Sequence, residues 1–281
     1  MHFGAAIFFT DYSISPTQLA TALEERGFES LWVAEHSHIP VPRRTPAPGG
    51  GELPKRYYDV MDPFVTLSAA AAVTKTLKLG TGVCLVIQRD TIQTAKLVAS
   101  IDQVSSGRFL FGIGGGWNAE EIEAHGTVFG TRMKKMREQI EAMKEIWTKS
   151  TAEYNGEIVK VPSMMTWPKP VQKPYPPILL GGAFPYAARR AIRYGDGWYP
   201  NASSGNPEEY MAKFRQLATE AGRDPDSLQI TIGGTPEDVA KIQRLGELGA
   251  SRVNFSLPPE GPDQILPILD RWAALIRQVN G

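Results

Sequence analysis

Only one cysteine occurs in the 281 residues, and features that mark several other protein classes are missing. A single cysteine excludes a disulfide framework and favours a reducing compartment, so we expect a cytoplasmic protein. No apolar run reaches the roughly 20 residues that a membrane-spanning helix needs, so we expect no membrane association. Basic and acidic residues are equal in number, at 30 each. Without an excess of basic charge, we expect no nucleic-acid partner.

Motifs for metal binding and for nucleophilic catalysis are also missing. No group of His, Cys and carboxylate residues has metal-ligand spacing, so we predict no metal site. Cys84 lies in an apolar segment with no obvious general base near it in sequence, and no G-x-S-x-G motif occurs. Because few ionisable residues follow the predicted strands, the sequence indicates a site that holds a cofactor, which performs the chemistry itself.

Apolar segments typical of strands alternate with helical patterns almost throughout the chain. We predict eight strands, at 3–9, 30–34, 78–85, 108–113, 178–180, 197–199, 228–232 and 252–255. A helical segment follows each strand, and eight such units close into a (β/α)8 TIM barrel with a parallel sheet. An open doubly wound sheet is the alternative. It is disfavoured because residues 10–13 lack a dinucleotide-binding fingerprint after the first strand.

We predict one barrel domain over residues 1–281, with two loop insertions. The first, at about 37–62, is polar and rich in glycine and proline. The second, at about 150–177, contains six prolines after residue 160, and we predict a hairpin turn at 154–157. Both insertions are irregular, and we expect them to select the substrate.

Glycines interrupt or follow three of the predicted strands. Gly80 and Gly82 lie inside the third strand, Gly114–Gly116 follow the fourth, and Gly181–Gly182 follow the fifth. Glycine in a strand marks a bulge, a bend or a close approach of backbone to a ligand. A tight turn alone explains such runs about equally well. Their repetition on successive strands favours backbone N–H groups that hold a flat anionic or carbonyl-bearing ligand.

His36 is the strongest candidate for a catalytic side chain. It ends the apolar second strand, so we expect it at the mouth of the barrel, where a histidine can exchange a proton at neutral pH. The alternative is a histidine that only bonds a neighbouring loop. Trp117 and Trp198 are candidates for pocket walls or core residues, and we expect Arg189–Arg190 on a solvated helix face.

Five segments, taken together and in order, resemble the bacterial luciferase-like monooxygenase superfamily, especially the branch that uses the deazaflavin coenzyme F420. The resemblance covers nearly the whole chain. The segments are RGFESLWVAEH (26–36), LGTGV (79–83), GIGGGWNAEE (112–121), PILLGG (177–182) and GDGWYP (195–200).

This resemblance implies a usually dimeric barrel whose cofactor ring lies across the strand ends. It implies a cis peptide at Gly82–Val83, and it implies that His36 donates the proton. The cofactor-binding residues that it implies are Glu35, Gly82, Val83, Gly115, Gly116, Trp117, Gly181, Gly182 and Ala183.

Members that oxidise sugars carry an acidic residue where this chain has Trp117, so we do not expect sugar-phosphate oxidation. The expected activity is an F420-dependent oxidoreductase that exchanges a hydride with a small organic substrate. One alternative is an FMN-dependent monooxygenase supplied by a separate flavin reductase. The other is a non-catalytic protein that binds flavin or deazaflavin.

Overall fold

Eight parallel strands close into a barrel in the computed structural model, which describes residues Met1–Gly281. The barrel strands are β1 (His2–Ile7), β2 (Ser30–Val33), β3 (Lys78–Thr81), β4 (Phe109–Ile113), β7 (Ile178–Gly181), β8 (Gly197–Tyr199), β9 (Gln229–Gly233) and β10 (Arg252–Ser256). Neighbours around the barrel follow the order β1, β2, β3, β4, β7, β8, β9 and β10, and β10 pairs with β1. The predicted (β/α)8 fold is confirmed.

Ten α-helices accompany the strands. They are α1 (Pro16–Glu25), α2 (Arg56–Asp59), α3 (Pro63–Val73), α4 (Thr91–Val104), α5 (Ala119–Ala124), α6 (Arg132–Thr148), α7 (Tyr186–Tyr194), α8 (Pro207–Glu220), α9 (Val239–Glu247) and α10 (Pro262–Asn280). Local sequence sets the starts: the Asp62 carboxylate accepts the amide of Phe64 at 2.8 Å, and Pro63 occupies the first helical position of α3. None of the helices combines the length and apolarity needed to cross a bilayer.

The third strand is shorter than predicted because a bulge interrupts it. Regular pairing ends at Thr81, and Cys84 then returns to form an isolated bridge with Ile113. Gly82 and Val83 bulge out between these two points, and the peptide that joins them is cis, as the family resemblance implied.

The two glycines of this strand have different roles. A Cβ on Gly80 would lie 2.4 Å from Cε3 of Trp32, so Gly80 makes room for a buried indole inside the barrel. Trp32 packs there with Leu110 and Leu179, while the larger apolar core lies between the strands and the helices. The backbone approach predicted at Gly80 is therefore to a core side chain, and only Gly82 lies at the barrel mouth.

The first predicted insertion follows β2 and leaves the barrel at its mouth, whereas the second lies between α6 and β7 and packs against α6. No residue of the second insertion lines the cavity at the barrel mouth, so the structure does not support its expected role in substrate selection. The first contains only the short helix α2. The second contains an antiparallel hairpin of β5 (Ala152–Asn155) and β6 (Lys160–Met164), which confirms the turn predicted at 154–157.

Candidate active site

A cavity of about 920 Å³ opens at the carboxyl ends of all eight barrel strands. This is the end at which TIM barrels carry their chemistry. Each strand contributes to the wall through the residues at its end or just after it: Ala6–Phe8, Ala34, Gly82–Val83, Gly114–Trp117, Gly181–Ala183, Tyr199–Asn201, Gly233–Gly234 and Ser256–Pro258.

Bare backbone forms one side of this cavity, around Val83. A Cβ on Gly114 would lie 2.5 Å from Cγ2 of Val83, and a Cβ on Gly181 would lie 2.7 Å from its Cγ1. Any larger residue at either position would therefore displace Val83. The third, fourth and fifth predicted strands, which are β3, β4 and β7, end next to one another here. Their glycine residues present backbone to the cavity, where a flat ligand could lie.

His36 is oriented by a buried carboxylate that sequence analysis missed. Its Nδ1 lies 2.8 Å from Oε2 of Glu121, whose side chain is 1% exposed. The amide of Ser37 donates to the other oxygen, Oε1, at 3.0 Å. An ionised carboxylate only accepts hydrogen bonds, so this contact places the proton of neutral His36 on Nδ1 and leaves Nε2 as a hydrogen-bond acceptor.

Aromatic side chains enclose the imidazole of His36. The indole Nε1 of Trp117 lies 3.4 Å from Nε2 of His36, and the ring centroid of Tyr57 lies 5.2 Å from that of His36. Trp117 lines the cavity, whereas His36 does not and its side chain is only 7% exposed. The structure therefore places His36 directly behind Trp117 in the cavity wall.

Hydrogen bonds continue from this pair to the protein surface. The Ser37 hydroxyl lies 3.4 Å from Glu121 Oε1 and 2.7 Å from Nε2 of His125. Its third neighbour is Nδ1 of the exposed His38, at 2.9 Å. Burial, and then the proximity of His38, lower the pKa of His125. His38 and His125 lie outside the cavity lining.

Glu35 lies away from the cavity, in contrast to the cofactor contact that the resemblance implied. Its Oε2 accepts the amide of Leu85 at 2.6 Å, and its Oε1 accepts Nε of Arg89 at 2.6 Å. Arg89 also bonds Asp62 at 2.5 Å. A buried carboxylate needs such partners. Here the partners, Leu85 and Arg89, follow β3 and do not line the cavity. Glu35 fixes the loop after β3.

All eight other residues that were implied as cofactor contacts line the cavity. They are Gly82, Val83, Gly115, Gly116, Trp117, Gly181, Gly182 and Ala183. These eight residues lie around one cavity, so one bound cofactor could contact all of them. The contacts themselves stay predictions. Trp198 instead lies fully buried among Phe184, Tyr210 and Phe214, and is a core residue.

Three arginines line the cavity and no acidic side chain does. Arg132 donates to the carbonyls of Gly115 and Phe129, and Arg190 has no hydrogen-bond or ion-pair partner. Burial, together with the nearby charge of Arg190, lowers the pKa of Arg132. Of the two arginines expected on a solvated helix face, Arg189 is exposed, whereas Arg190 is half-buried and lines the cavity. Two guanidinium groups beside exposed backbone form a site suited to an anion.

Tyr199 forms part of the cavity floor near Gly82. Burial raises the pKa of its hydroxyl to about 12, and Nδ2 of Asn254 donates to that hydroxyl at 2.8 Å. The phenol proton remains free for another acceptor. A neutral hydrogen-bond donor therefore lies at the base of the cavity.

These features fit a flavin or deazaflavin. A flat ring needs a wall without side chains, which the glycines beside Val83 supply, and a phosphate end needs cations, which Arg132 and Arg190 supply. The cavity volume of about 920 Å³ lies within the range of ligand and cofactor pockets.

Comparison with known families agrees with this geometry. The profile of the family described as luciferase-like monooxygenase matches residues 15–236. The chain belongs to this family. The match includes six of the eight barrel strands with their carboxyl ends, all but β1 and β10.

Two relatives and one solved structure show what this chain is similar to. Rv0953c of Mycobacterium tuberculosis, an uncharacterised protein, is 38% identical over 284 residues, with 98% of each chain covered. An F420-dependent hydroxymycolic acid dehydrogenase of the same organism is 28% identical over 268 residues, which cover 90% of this chain and 70% of that one. The crystal structure of monooxygenase RslO1 from Streptomyces bottropensis has a TM-score of 0.81 at 19% identity, with both chains fully covered, and so shares the fold.

Proposed function

We propose that this protein is an F420-dependent oxidoreductase that exchanges a hydride with a small organic substrate. The observation that carries the proposal is a cavity with a glycine wall and an arginine pair, with the His36–Glu121 pair directly behind its lining residue Trp117. The relationship to an F420-dependent dehydrogenase over 90% of this chain supports the choice of cofactor.

The residues around Val83 would hold the cofactor ring. Val83 packs against Gly114 and Gly181, and the amides of Gly115 and Gly116, which make no backbone hydrogen bond, can bond ring carbonyls. Arg132 and Arg190 would bind the phosphate end. When bound, coenzyme F420 supplies a two-electron carrier that gives or takes a hydride.

His36 would move the proton that accompanies the hydride. Glu121 fixes Nδ1, so Nε2 gives a proton to the substrate oxygen or nitrogen during reduction and takes it back during oxidation. Glu121 also stabilises the imidazolium that forms when Nε2 is protonated. The enclosure by Trp117 and Tyr57 keeps bulk water away from the imidazole.

A turnover screen tests this function. Reduced F420 and the protein are mixed without oxygen and offered carbonyl compounds, enones and imines, and the deazaflavin absorbance reports oxidation of the coenzyme. We expect at least one class to be reduced, and we expect no turnover with His36→Ala. Failure of every class, together with a failure of oxidised F420 to accept a hydride from alcohols, would contradict the proposal.

An FMN-dependent monooxygenase is the second candidate, favoured by the family description and by the close fold of monooxygenase RslO1. Oxygen consumption in step with oxidation of reduced FMN would support it. A non-catalytic binding role is a third possibility, and the His36–Glu121 pair argues against it because binding alone needs no oriented imidazole. In either case we expect a homodimer, with a separate flavin or F420 reductase as a possible partner.

A further inference from the structure

Arg56 is a cationic side chain that faces the cavity without a partner. It begins α2 in the first insertion, is half-buried, and lines the cavity wall. It makes no hydrogen bond and no ion pair in the structure. Its guanidinium carbon lies 5.5 Å from the ring centroids of both Phe8 and Tyr57.

The aromatic contacts hold Arg56 in one orientation and leave its donors unused. Stacking against a ring occupies the flat face of a guanidinium, whereas its N–H groups lie around the edge. Five N–H donors that are partly withdrawn from water need an acceptor. Other arginines near the barrel mouth meet this need: Arg89 bonds Glu35 and Asp62, and Arg44 bonds Glu120.

Arg56 lies across the barrel from the proposed phosphate site. It contacts Phe8, which follows β1, whereas Arg132 contacts Gly115 after β4 and Arg190 lies on α7 after β7. Three strand positions separate β1 from β4 in one direction, and four separate β1 from β7 in the other. The cavity therefore has cations at two opposite ends, and one phosphate end of a cofactor accounts for only one of them.

We propose that Arg56 binds the carboxylate of an anionic substrate. This inference rests on the proposed function and names the substrate class. Arg56 reaches the His36 region through Tyr57, whose ring contacts both side chains. A carboxylate held in a two-point contact by Arg56 places the remainder of the substrate near Trp117 and His36. No acidic side chain lines the cavity, so no protein carboxylate competes for Arg56.

The test measures binding of simple acids to protein saturated with F420. Benzoate, cinnamate and hexanoate are titrated by calorimetry, each beside its neutral amide, into wild type and Arg56→Gln. We expect at least one acid to bind roughly tenfold more tightly than its amide, which corresponds to one charge-assisted contact. We expect Arg56→Gln to remove that difference and Arg56→Lys to keep part of it.

Lys55→Gln is the matched control, because it removes the same charge from the neighbouring residue. Lys55 pairs with Asp59 and is 77% exposed, and it does not line the cavity. We expect this variant to bind the acids like wild type. Loss of acid binding in both variants would reveal only a long-range charge effect and would overturn the proposal.

Cofactor titrations separate the two possible sources of the carboxylate. We expect Arg190→Gln to weaken F420 binding and Arg56→Gln to leave it unchanged. If Arg56→Gln weakens F420 binding as much as Arg190→Gln does, Arg56 holds the anionic chain of the cofactor and the substrate assignment is wrong. The assignment is also wrong if no acid binds better than its amide. If F420 itself does not bind, the proposed function fails, and the acid titrations on cofactor-free protein still decide whether Arg56 is an anion site.

Discussion

At the scale of single residues, the central feature is the contact between His36 and Glu121. A carboxylate that is 1% exposed makes its hydrogen bonds to the Nδ1 of His36 and the amide of Ser37. A histidine that served only to bond a loop would not need an aligned acceptor of this kind on Nδ1 and an Nε2 that faces the cavity-lining Trp117. The geometry suits a proton carrier.

Replacing His36 by Ala should separate chemistry from binding. We expect kcat to fall by roughly 10²- to 10⁴-fold, the usual contribution of a positioned acid or base. Cofactor affinity should stay within about threefold of wild type, because His36 does not line the cavity. Steady-state kinetics and a cofactor titration measure the two effects. Equal losses in kcat and in cofactor affinity would contradict a proton-transfer role for His36.

Replacing Glu121 by Gln should have a smaller effect of the same kind. The amide can still accept from Nδ1, but it can also donate, so the ring loses its fixed tautomer. We expect kcat to fall by about 10- to 100-fold, a part of the loss expected for His36→Ala. The ¹⁵N spectrum of the four histidines gives a readout apart from activity: the His36 signals should change tautomer. An unchanged spectrum and unchanged kcat would show that Glu121 is only structural.

Sequence alone offers a reason to propose His36 as a site residue but none to choose Glu121 or Arg56. His36 follows an apolar strand, and the strand end of a barrel points to the site. Glu121 lies 85 residues further on, and nothing local distinguishes it from Glu120, which bonds Arg44 and Thr45 instead. Arg56 lies in an irregular insertion, where no strand or helix periodicity predicts which way a side chain points.

At the scale of elements, the glycine loops determine the shape of the cavity. Gly182 has a φ of +125°, which residues with a side chain rarely adopt, and it lies after β7 against Ala187. Its amide donates to the carbonyl of Tyr199, and its own carbonyl accepts the indole of Trp198. These bonds hold the loop in the conformation that exposes its backbone.

Gly182→Ala should therefore weaken cofactor binding as well as stability. We expect a loss of about 1–3 kcal/mol in the free energy of unfolding from backbone strain. F420 affinity should fall by about tenfold as the loop shifts into the cavity. Gly126→Ala is the matched control, because Gly126 also has positive φ, +74°, but faces open space away from the cavity. A similar loss of affinity in both variants would argue against a role of the Gly182 loop in binding.

Most elements could be predicted from sequence because strand and helix periods are strong in an alternating barrel. Seven strands agree with the prediction to within two residues at each end, and the third was overextended through its bulge. The functions of individual glycines could not be separated in advance. Gly80 and Gly82 are two residues apart, yet one accommodates Trp32 and the other lies in the cavity wall.

At the scale of the whole molecule, stability and chemistry are placed at opposite ends of the barrel. At the amino-terminal end, Glu29 bonds Arg252 through two contacts of 2.5 and 2.6 Å and pairs with Lys78 at 3.0 Å. Glu29 directly precedes β2, Arg252 is the first residue of β10, and Lys78 is the first residue of β3. Arg252 is 2% exposed, so the pair closes the barrel with buried charge.

This pair should give the protein a specific sensitivity to acid. Burial alone would raise the pKa of Glu29, but its bonds and charge contact with Arg252 outweigh burial and lower the pKa to about 2. An unfolded glutamate titrates near 4.3, so the stabilisation is complete above that pH and is lost as pH falls toward 2. The pKa difference corresponds to about 3 kcal/mol.

The free energy of unfolding of Glu29→Gln should be about 3 kcal/mol lower than that of wild type at pH 7. This difference, the stability gap, should disappear between about pH 4.5 and 2. Denaturant unfolding across this pH range measures the gap. Asp270→Asn, which breaks an exposed pair with Arg26, should cost less than about 1 kcal/mol. F420 affinity should be unchanged in both variants. A gap that stayed constant down to pH 3 would contradict the assigned pKa.

The central claim is that the glycine-walled cavity holds a deazaflavin, and an equilibrium titration with F420 and with FMN tests it most directly. Fluorescence of each oxidised cofactor is followed as purified protein is added, and quenching of the protein's tryptophan fluorescence reports binding of the reduced forms. We expect saturable binding of F420 at micromolar concentration, at one per chain, with FMN at least about tenfold weaker, a difference of 1.4 kcal/mol. Saturable binding of FMN without measurable affinity for F420 would contradict the claim.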